Sequence, residues 1–228
     1  MTNQTLVEER PVVATEPGNE PIIALPGSFG ELKMRPQVRA VLDKMGIEIP
    51  TPIQARAIPP MLEGRDVVGQ ARTGSGKTLA FGLPMVENCD PDLRAVQALV
   101  LVPTRELAIQ VANVVEPLAA SVGIWSTLIY GGRSLYPEKE ALRNGAQIVI
   151  ATPGRTLDHL WQGNLRLEHL KMLVLDEADE MLDQGFAPDI EKILWTIIHK
   201  PQTALFSATM PEWVSRTAAS HLSNPVTV

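Results

Sequence analysis

Eight consecutive residues, Ala71-Arg72-Thr73-Gly74-Ser75-Gly76-Lys77-Thr78, have the types and spacing of a phosphate cradle. Gly74 and Gly76 let the backbone curl so that several N–H groups point at one anion. A helix beginning at Lys77 adds unpaired N–H groups and the positive end of its dipole. The Lys77 ammonium can reach β- and γ-phosphates, and the Thr78 hydroxyl can ligate Mg²⁺. The stretch departs from the strict P-loop pattern at its first position, where Ala71 replaces glycine. Taken alone, it also reads as a glycine turn ahead of an ordinary helix.

A second constellation lies at Asp176-Glu177-Ala178-Asp179, directly after the apolar run Met172-Leu173-Val174-Leu175. A carboxylate at the end of a buried strand is costly unless it meets a cation. Beside a P-loop that cation is Mg²⁺, which makes Asp176 its acidic partner. Glu177 can orient or deprotonate an attacking water. The plainer reading is that Asp176 caps a short helix running to about Leu182. Read together, the two constellations predict phosphoryl transfer to water. Arg72 to Thr78 would hold the phosphates, and the chain would act by placement and charge stabilisation.

These groups need a frame. A strand-like run over Asp66–Gln70 enters the glycine loop, and a helix over Lys77–Asn88 leaves it. Five more apolar runs follow: Ala98–Val102, Ser126–Tyr130, Gln147–Ala151, Met172–Leu175 and Thr203–Phe206. Amphipathic stretches over Arg105–Ala120, Pro137–Asn144, Arg155–Gln162 and Pro188–His199 lie between them. The alternation predicts an α/β domain over 29–228. Its mostly parallel sheet of about six strands would carry helices on both faces. Upstream, Ser28–Lys44 has partly helical spacing, Gly46 is a helix end, and a helix is expected over Ile53–Leu62.

Every strand end is small, polar or charged. After the glycine loop come Pro103-Thr104-Arg105, Gly131-Gly132-Arg133, Thr152-Pro153-Gly154-Arg155, the Asp176 stretch and Ser207-Ala208-Thr209. Ligand sites of open parallel sheets lie beyond the carboxyl ends of strands. Six such ends predict one functional face. Singly, the Thr104 and Ser207 stretches read as helix caps.

The chain has 228 residues, 45% of them hydrophobic, enough for one large domain with a sizeable core. Its one cysteine, Cys89, excludes an internal disulfide and fits a reducing compartment. No signal peptide and no run of membrane-spanning length is evident. A soluble cytoplasmic protein with no membrane partner is expected. The net charge of −6 argues against broad nucleic-acid binding by counterion release. It leaves room for a narrow site of backbone amides and a few arginines. Residues 1–28, with prolines at 11, 17, 21 and 26, read as a flexible extension.

From Phe29 to Val228 these segments, in this order, resemble the first RecA-like half of a DEAD-box RNA helicase of bacterial type. In that family Ala commonly opens the phosphate loop, and Asp176-Glu177-Ala178-Asp179 matches the motif that names it. The resemblance implies ATP and Mg²⁺ as cofactors and RNA as partner. It implies that Gln54, in Thr51-Pro52-Ile53-Gln54, reads the adenine edge and that Phe29 stacks on the base. Ile47 stands where the family often has Phe. Pro103, Thr104, Arg105, Gly132, Arg133, Thr152, Gly154 and Arg155 would face the RNA backbone. Asp179, Ser207 and Thr209 would couple the two sites. The family's second RecA-like domain supplies a catalytic arginine, so this chain is expected to be one half. Alone, it would bind adenine nucleotide, bind RNA weakly and turn over almost no ATP. Two other readings stay open. Another P-loop enzyme, such as a DNA translocase or nucleotide kinase, would leave Gln54 and Phe29 without a role. A non-enzymatic module would use ATP or AMP only structurally.

Overall fold

Three strands have no polar residue and bury every residue: β2 (Ala98–Leu101), β4 (Ile148–Ala151) and β5 (Met172–Leu175). Such strands are stable only when both sheet faces are covered. The computed structural model describes residues 25–228, so most of the expected 1–28 extension lies outside the described residues. Four further strands complete the sheet: β1 (Val67–Gln70), β3 (Ser126–Ile129), β6 (Gln202–Ser207) and β7 (Val226–Thr227). Their order is β3-β4-β2-β5-β6-β1-β7, and every pairing is parallel.

The two-residue period of the strands divides the core in two. Val100, Ile150, Val174 and Phe206 point to one face. There they meet α1 (Pro36–Lys44), α2 (Pro52–Leu62), α3 (Lys77–Asn88) and α4 (Arg105–Ser121). Leu99, Leu101, Val149, Leu173 and Leu205 point to the other. That face is covered by α6 (Pro153–Trp161), α7 (Ala178–Asp183), α8 (Ala187–Trp195) and α9 (Glu212–His221). Between β3 and β4 lies α5 (Tyr136–Arg143). Among the described residues, no helix is long and apolar enough to cross a membrane. Cys89 closes α3 and is buried.

Two details position the glycine loop. A Cβ at Gly69, mid-β1, would lie 2.3 Å from Phe206 Cδ1, so only glycine lets the rings of β6 and α3 pack there. Asp66, buried just before β1, accepts from Thr203 N at 2.7 Å and Ser223 N at 2.6 Å. It thereby ties the starts of β1 and β6 together.

The structure differs from the sequence-based expectation at two places. A seventh strand, β7, joins β1, its carbonyls and amides paired from Asp66 to Gln70. Ser28–Lys44 is not one helix: Phe29–Glu31 form a 3₁₀ turn, and α1 begins only at Pro36. Pro36 fixes a helical φ at the first helical position and forces Arg35 into extended backbone, which separates the two pieces.

Candidate functional site

The glycine loop joins β1 to α3 and is gripped from the side by the start of α2. Gly74 and Gly76 adopt φ of 82° and 93°. A Cβ at Gly76 would also lie 2.5 Å from Gln54 Nε2, so dihedral and space both require glycine. Gln54 Nε2 donates to Gly76 O at 3.0 Å, and its Oε1 accepts from Thr51 N at 2.8 Å. Thr51 Oγ1 donates to Ser75 O at 2.9 Å. The Gln54 amide retains one N–H and one lone pair, the complement of a purine edge that offers one acceptor and one donor. Among the described residues, Ser75 Oγ is buried without a partner.

The buried Lys77 ammonium donates to Ala71 O at 3.0 Å. It also stands 2.8 Å from Glu177 Oε1 and 3.9 Å from Asp176 Oδ1. Both carboxylates follow β5, and both are almost inaccessible to solvent. Burial pushes the Asp176 carboxyl up to about 7; Lys77 pulls it down and the Glu177 charge pushes it further up. Glu177 has φ 54°, a left-handed conformation unusual for a residue with a side chain. Its carboxylate accepts from Thr73 Oγ1 at 2.7 Å, closing the loop over the acids. Asp176, Thr78 and Ser75 offer only oxygen donors, which suits Mg²⁺. Among the described residues, no three His, Cys, Asp or Glu side chains are grouped to hold a metal. An ion here would draw most of its shell from water and phosphate, as Mg²⁺ does.

Beside these groups lies a cavity of about 350 Å³, lined by Met45, Ile47, Gln54, Thr73, Gly76, Lys77, Thr78, Asp176 and Glu177 among others. A larger one, about 690 Å³, opens near Arg94, Arg166 and His169 at the amino-terminal end of β2 and β5. None of the motif residues lines it.

The expected stacking role of Phe29 needs correction. Its ring is 1% exposed and sits in the core with Leu42 and Ile58, so it has no free face for a base. The apolar wall next to Gln54 is formed by Met45 and Ile47 instead. Ile47 occupies the position that differs from the family pattern.

The strand order sorts the remaining residues. The glycine loop, the acids and Ser207 stand at the ends of β1, β5 and β6, which are neighbours. Thr104, Arg105, Gly132, Arg133, Thr152, Gly154 and Arg155 follow β2, β3 and β4, the adjoining half. Thr104 Oγ1 accepts from Leu107 N at 3.2 Å and caps α4. Arg105 is exposed, while Pro103 is buried and offers little surface. Arg133 is exposed and Arg155 half-buried, and both bond to groups of the protein itself. Arg133 Nε donates to Glu138 Oε1 at 2.9 Å, Nη1 to Tyr130 Oη at 3.1 Å and Nη2 to Leu128 O at 2.5 Å. Arg155 Nε donates to Glu138 Oε2 at 2.8 Å. In this structure these guanidiniums have partners within the protein, beside whatever surface they offer outward. Each gives Glu138 one charge-assisted bond through Nε.

Asp179, Ser207 and Thr209 do meet. Asp179 N donates to Ser207 Oγ at 3.1 Å; Asp179 Oδ2 accepts from Thr209 N at 2.9 Å and Thr209 Oγ1 at 2.8 Å. Burial acts to raise the Asp179 carboxyl, but the Thr209 and Ser207 hydroxyls and the Thr209 amide outweigh it and hold it below the ordinary carboxylate value. Sequence reasoning missed Glu138, the one fully buried residue of α5. An acid near the start of an amphipathic helix looks like a surface charge, and no local signal marks it otherwise.

A family model described as DEAD/DEAH box helicase matches residues 51–217. The ATP-dependent RNA helicase DeaD of Escherichia coli (strain K12) is 50% identical over 199 residues, covering 87% of this chain and 32% of that protein. The DEAD-box ATP-dependent RNA helicase CshA of Geobacillus kaustophilus is 47% identical over 198 residues, covering 87% of this chain and 42% of that protein. The chain thus spans about a third of the length of the curated relatives it matches. The crystal structure of a DEAD box protein from the hyperthermophile Methanococcus jannaschii superimposes with a TM-score of 0.86 at 41% identity. It covers 90% of this chain and 56% of that one.

Proposed function

This chain belongs to the DEAD/DEAH box helicase family, and we propose that residues 29–228 form the ATP- and RNA-binding first RecA-like domain of an ATP-dependent RNA helicase. The observation that carries this reading is the Lys77 ammonium, buried between Asp176 and Glu177 at the mouth of the glycine loop. A cation so placed can exchange a carboxylate for a phosphate without leaving its pocket.

In this reading the amides of Arg72 to Thr78 and the Lys77 ammonium hold the β- and γ-phosphates. Thr78 and Asp176 hold Mg²⁺, which when bound neutralises charge on the β and γ oxygens. When Lys77 turns to phosphate, it releases Glu177 Oε1. The freed carboxylate orients the attacking water. Gln54 selects adenine with its remaining N–H and lone pair, and Met45 and Ile47 supply an apolar wall to the base. Asp179, bonded to Ser207 and Thr209, links the acids of β5 to the end of β6. The loops after β2, β3 and β4 hold an RNA backbone through amides and Arg105, without reading bases. Because the family's stabilising arginine lies on a second RecA-like domain, this domain assayed alone turns over little ATP.

Calorimetric titration with ADP and with GDP in the presence of Mg²⁺ tests the reading. Clear preference for ADP is expected. Equal affinity for the two would leave a phosphate cradle but remove adenine selection. Absence of binding to either would overturn the assignment of this site.

A further inference from the structure

The nucleotide chemistry makes no use of Glu138. Its side chain is inaccessible to solvent, although the rest of α5 is exposed or half-buried. Four donors surround it. Oε1 accepts from Tyr130 N at 3.3 Å and Arg133 Nε at 2.9 Å. Oε2 lies 2.8 Å from both Arg155 Nε and His159 Nε2. A carboxylate offers about four acceptor positions, so this one is saturated. Since an ionised carboxylate only accepts, His159 Nε2 carries the proton. His159 Nδ1, also buried, has no partner among the described residues. Two guanidiniums offset the cost of burying the charge.

The four donors come from two separate segments. Tyr130 and Arg133 belong to the turn after β3; Arg155 and His159 belong to α6, after β4. Arg155 Nη2 donates to Arg133 O at 2.8 Å, a second tie between the same turns. The tie extends to the loop after β2. The Tyr130 ring lies 4.0 Å from the Arg133 guanidinium and 5.1 Å from that of Arg105. One buried carboxylate therefore fastens the turns after β3 and β4, and the Tyr130 ring carries the tie to the loop after β2.

We infer that Glu138 is the positioning residue of the RNA-facing surface. Its carboxylate locks the Gly131–Arg133 turn against the Thr152–Arg155 turn, so that their amides and Arg105 meet a ribose-phosphate strand in one register. Arg133 and Arg155 serve as struts to that carboxylate. The inference rests on the proposal above that these turns face RNA.

Glu138→Gln tests it. The variant keeps the size but sets an amide –NH₂ against two N–H donors, so one turn is released. Glu140→Gln, a half-buried acid of the same helix that pairs only with Arg143 one turn on, is the control. Three readouts apply, at a temperature where circular dichroism shows each variant folded. They are anisotropy titration of a labelled single-stranded oligoribonucleotide, calorimetric ADP affinity, and amide hydrogen exchange of residues 131–134 and 152–155. For Glu138→Gln we expect RNA affinity to fall about tenfold, the equivalent of one or two lost contacts. Exchange in both segments should accelerate, with ADP affinity unchanged. Glu140→Gln should match the parent chain in all three.

An RNA affinity within about twofold of the parent, in a folded Glu138→Gln, would reduce the residue to a structural one and overturn the inference. If the parent chain binds no RNA, the RNA reading fails; the exchange data then still decide whether Glu138 orders the turns. If Glu138→Gln does not fold, Arg133→Gln removes one strut while Arg155 and His159 keep the carboxylate paired. Unchanged RNA affinity in that variant would likewise sink the inference.

Discussion

Lys77 and Glu177 form a buried ion pair, Nζ to Oε1 2.8 Å, in which the lysine of the glycine loop neutralises an acid that follows β5. The pair ties ligand binding to release of the acid. Lys77→Met leaves Asp176 and Glu177 buried without their counter-ion. We expect a loss of about 3 kcal/mol in stability, read by urea denaturation. ADP affinity should fall at least about tenfold, because a charge-assisted contact to phosphate is lost. A variant as stable as the parent chain would show that the carboxylates are not paired through Lys77.

Gln54 carries two tasks, since it both grips the loop at Gly76 O and faces the cavity beside Ile47. Gln54→Ala should bring ADP and GDP affinities to within about threefold of each other, a difference below one hydrogen bond. Competitive titration of the two nucleotides against the variant checks this. Retained preference for ADP would place adenine selection elsewhere.

Gly76 has no room for a methyl group and a φ of 93°. Gly76→Ala should displace Gln54 and Thr51 from the loop and cost on the order of 1–3 kcal/mol. Thermal melting reads the loss. Because the grip on the loop is broken, Mg²⁺-ADP should no longer raise the melting temperature of the variant as it does that of the parent chain.

Glu138 contributes to the acid limb of stability, as Asp179 does. Burial acts to raise its carboxyl, but His159, Arg133, Arg155 and the Tyr130 amide bring it from 4.5 down to about 2. A carboxyl whose value is lower in the folded chain binds protons more readily when unfolded. Its stabilisation is therefore complete above about pH 4.5 and is lost as the pH falls toward 2. Melting temperatures between pH 5 and 3 should decline less steeply for Glu138→Gln than for the parent chain. Parallel curves would show that the carboxylate is not held ionised by its partners.

Much of this arrangement was legible in the chain because the strands are buried on both faces. Runs such as Ala98–Leu101 and Ile148–Ala151 have no polar residue to mislead, and Pro103 and Pro153 follow them within two residues. The acids and the glycine loop were legible because a buried charge at a strand end has few alternatives. What escaped depends on contacts far apart in sequence. β7 is two residues, Val226–Thr227, too short to show a period, and it exists only because β1 offers an open edge. Phe29 looks like any aromatic beside a site, and only the folded chain shows its ring buried in the core that also holds Leu42 and Ile58. Glu138, Arg133, Arg155 and His159 span turns from two strand ends, and no local pattern announces that they converge.

Cys89 makes the chain convenient to label. It is the single thiol in the sequence, it is buried, and desolvation, only partly countered by Lys171 and Arg35, pushes it up to about 12. The thiolate is the form that attacks thiol reagents, so a buried, protonated Cys89 reacts far more slowly at neutral pH than an exposed thiol. A cysteine introduced at an exposed position such as Ser134 would then take a fluorophore alone, next to the turn that Glu138 holds. Movement of that turn could be followed in the otherwise unaltered chain.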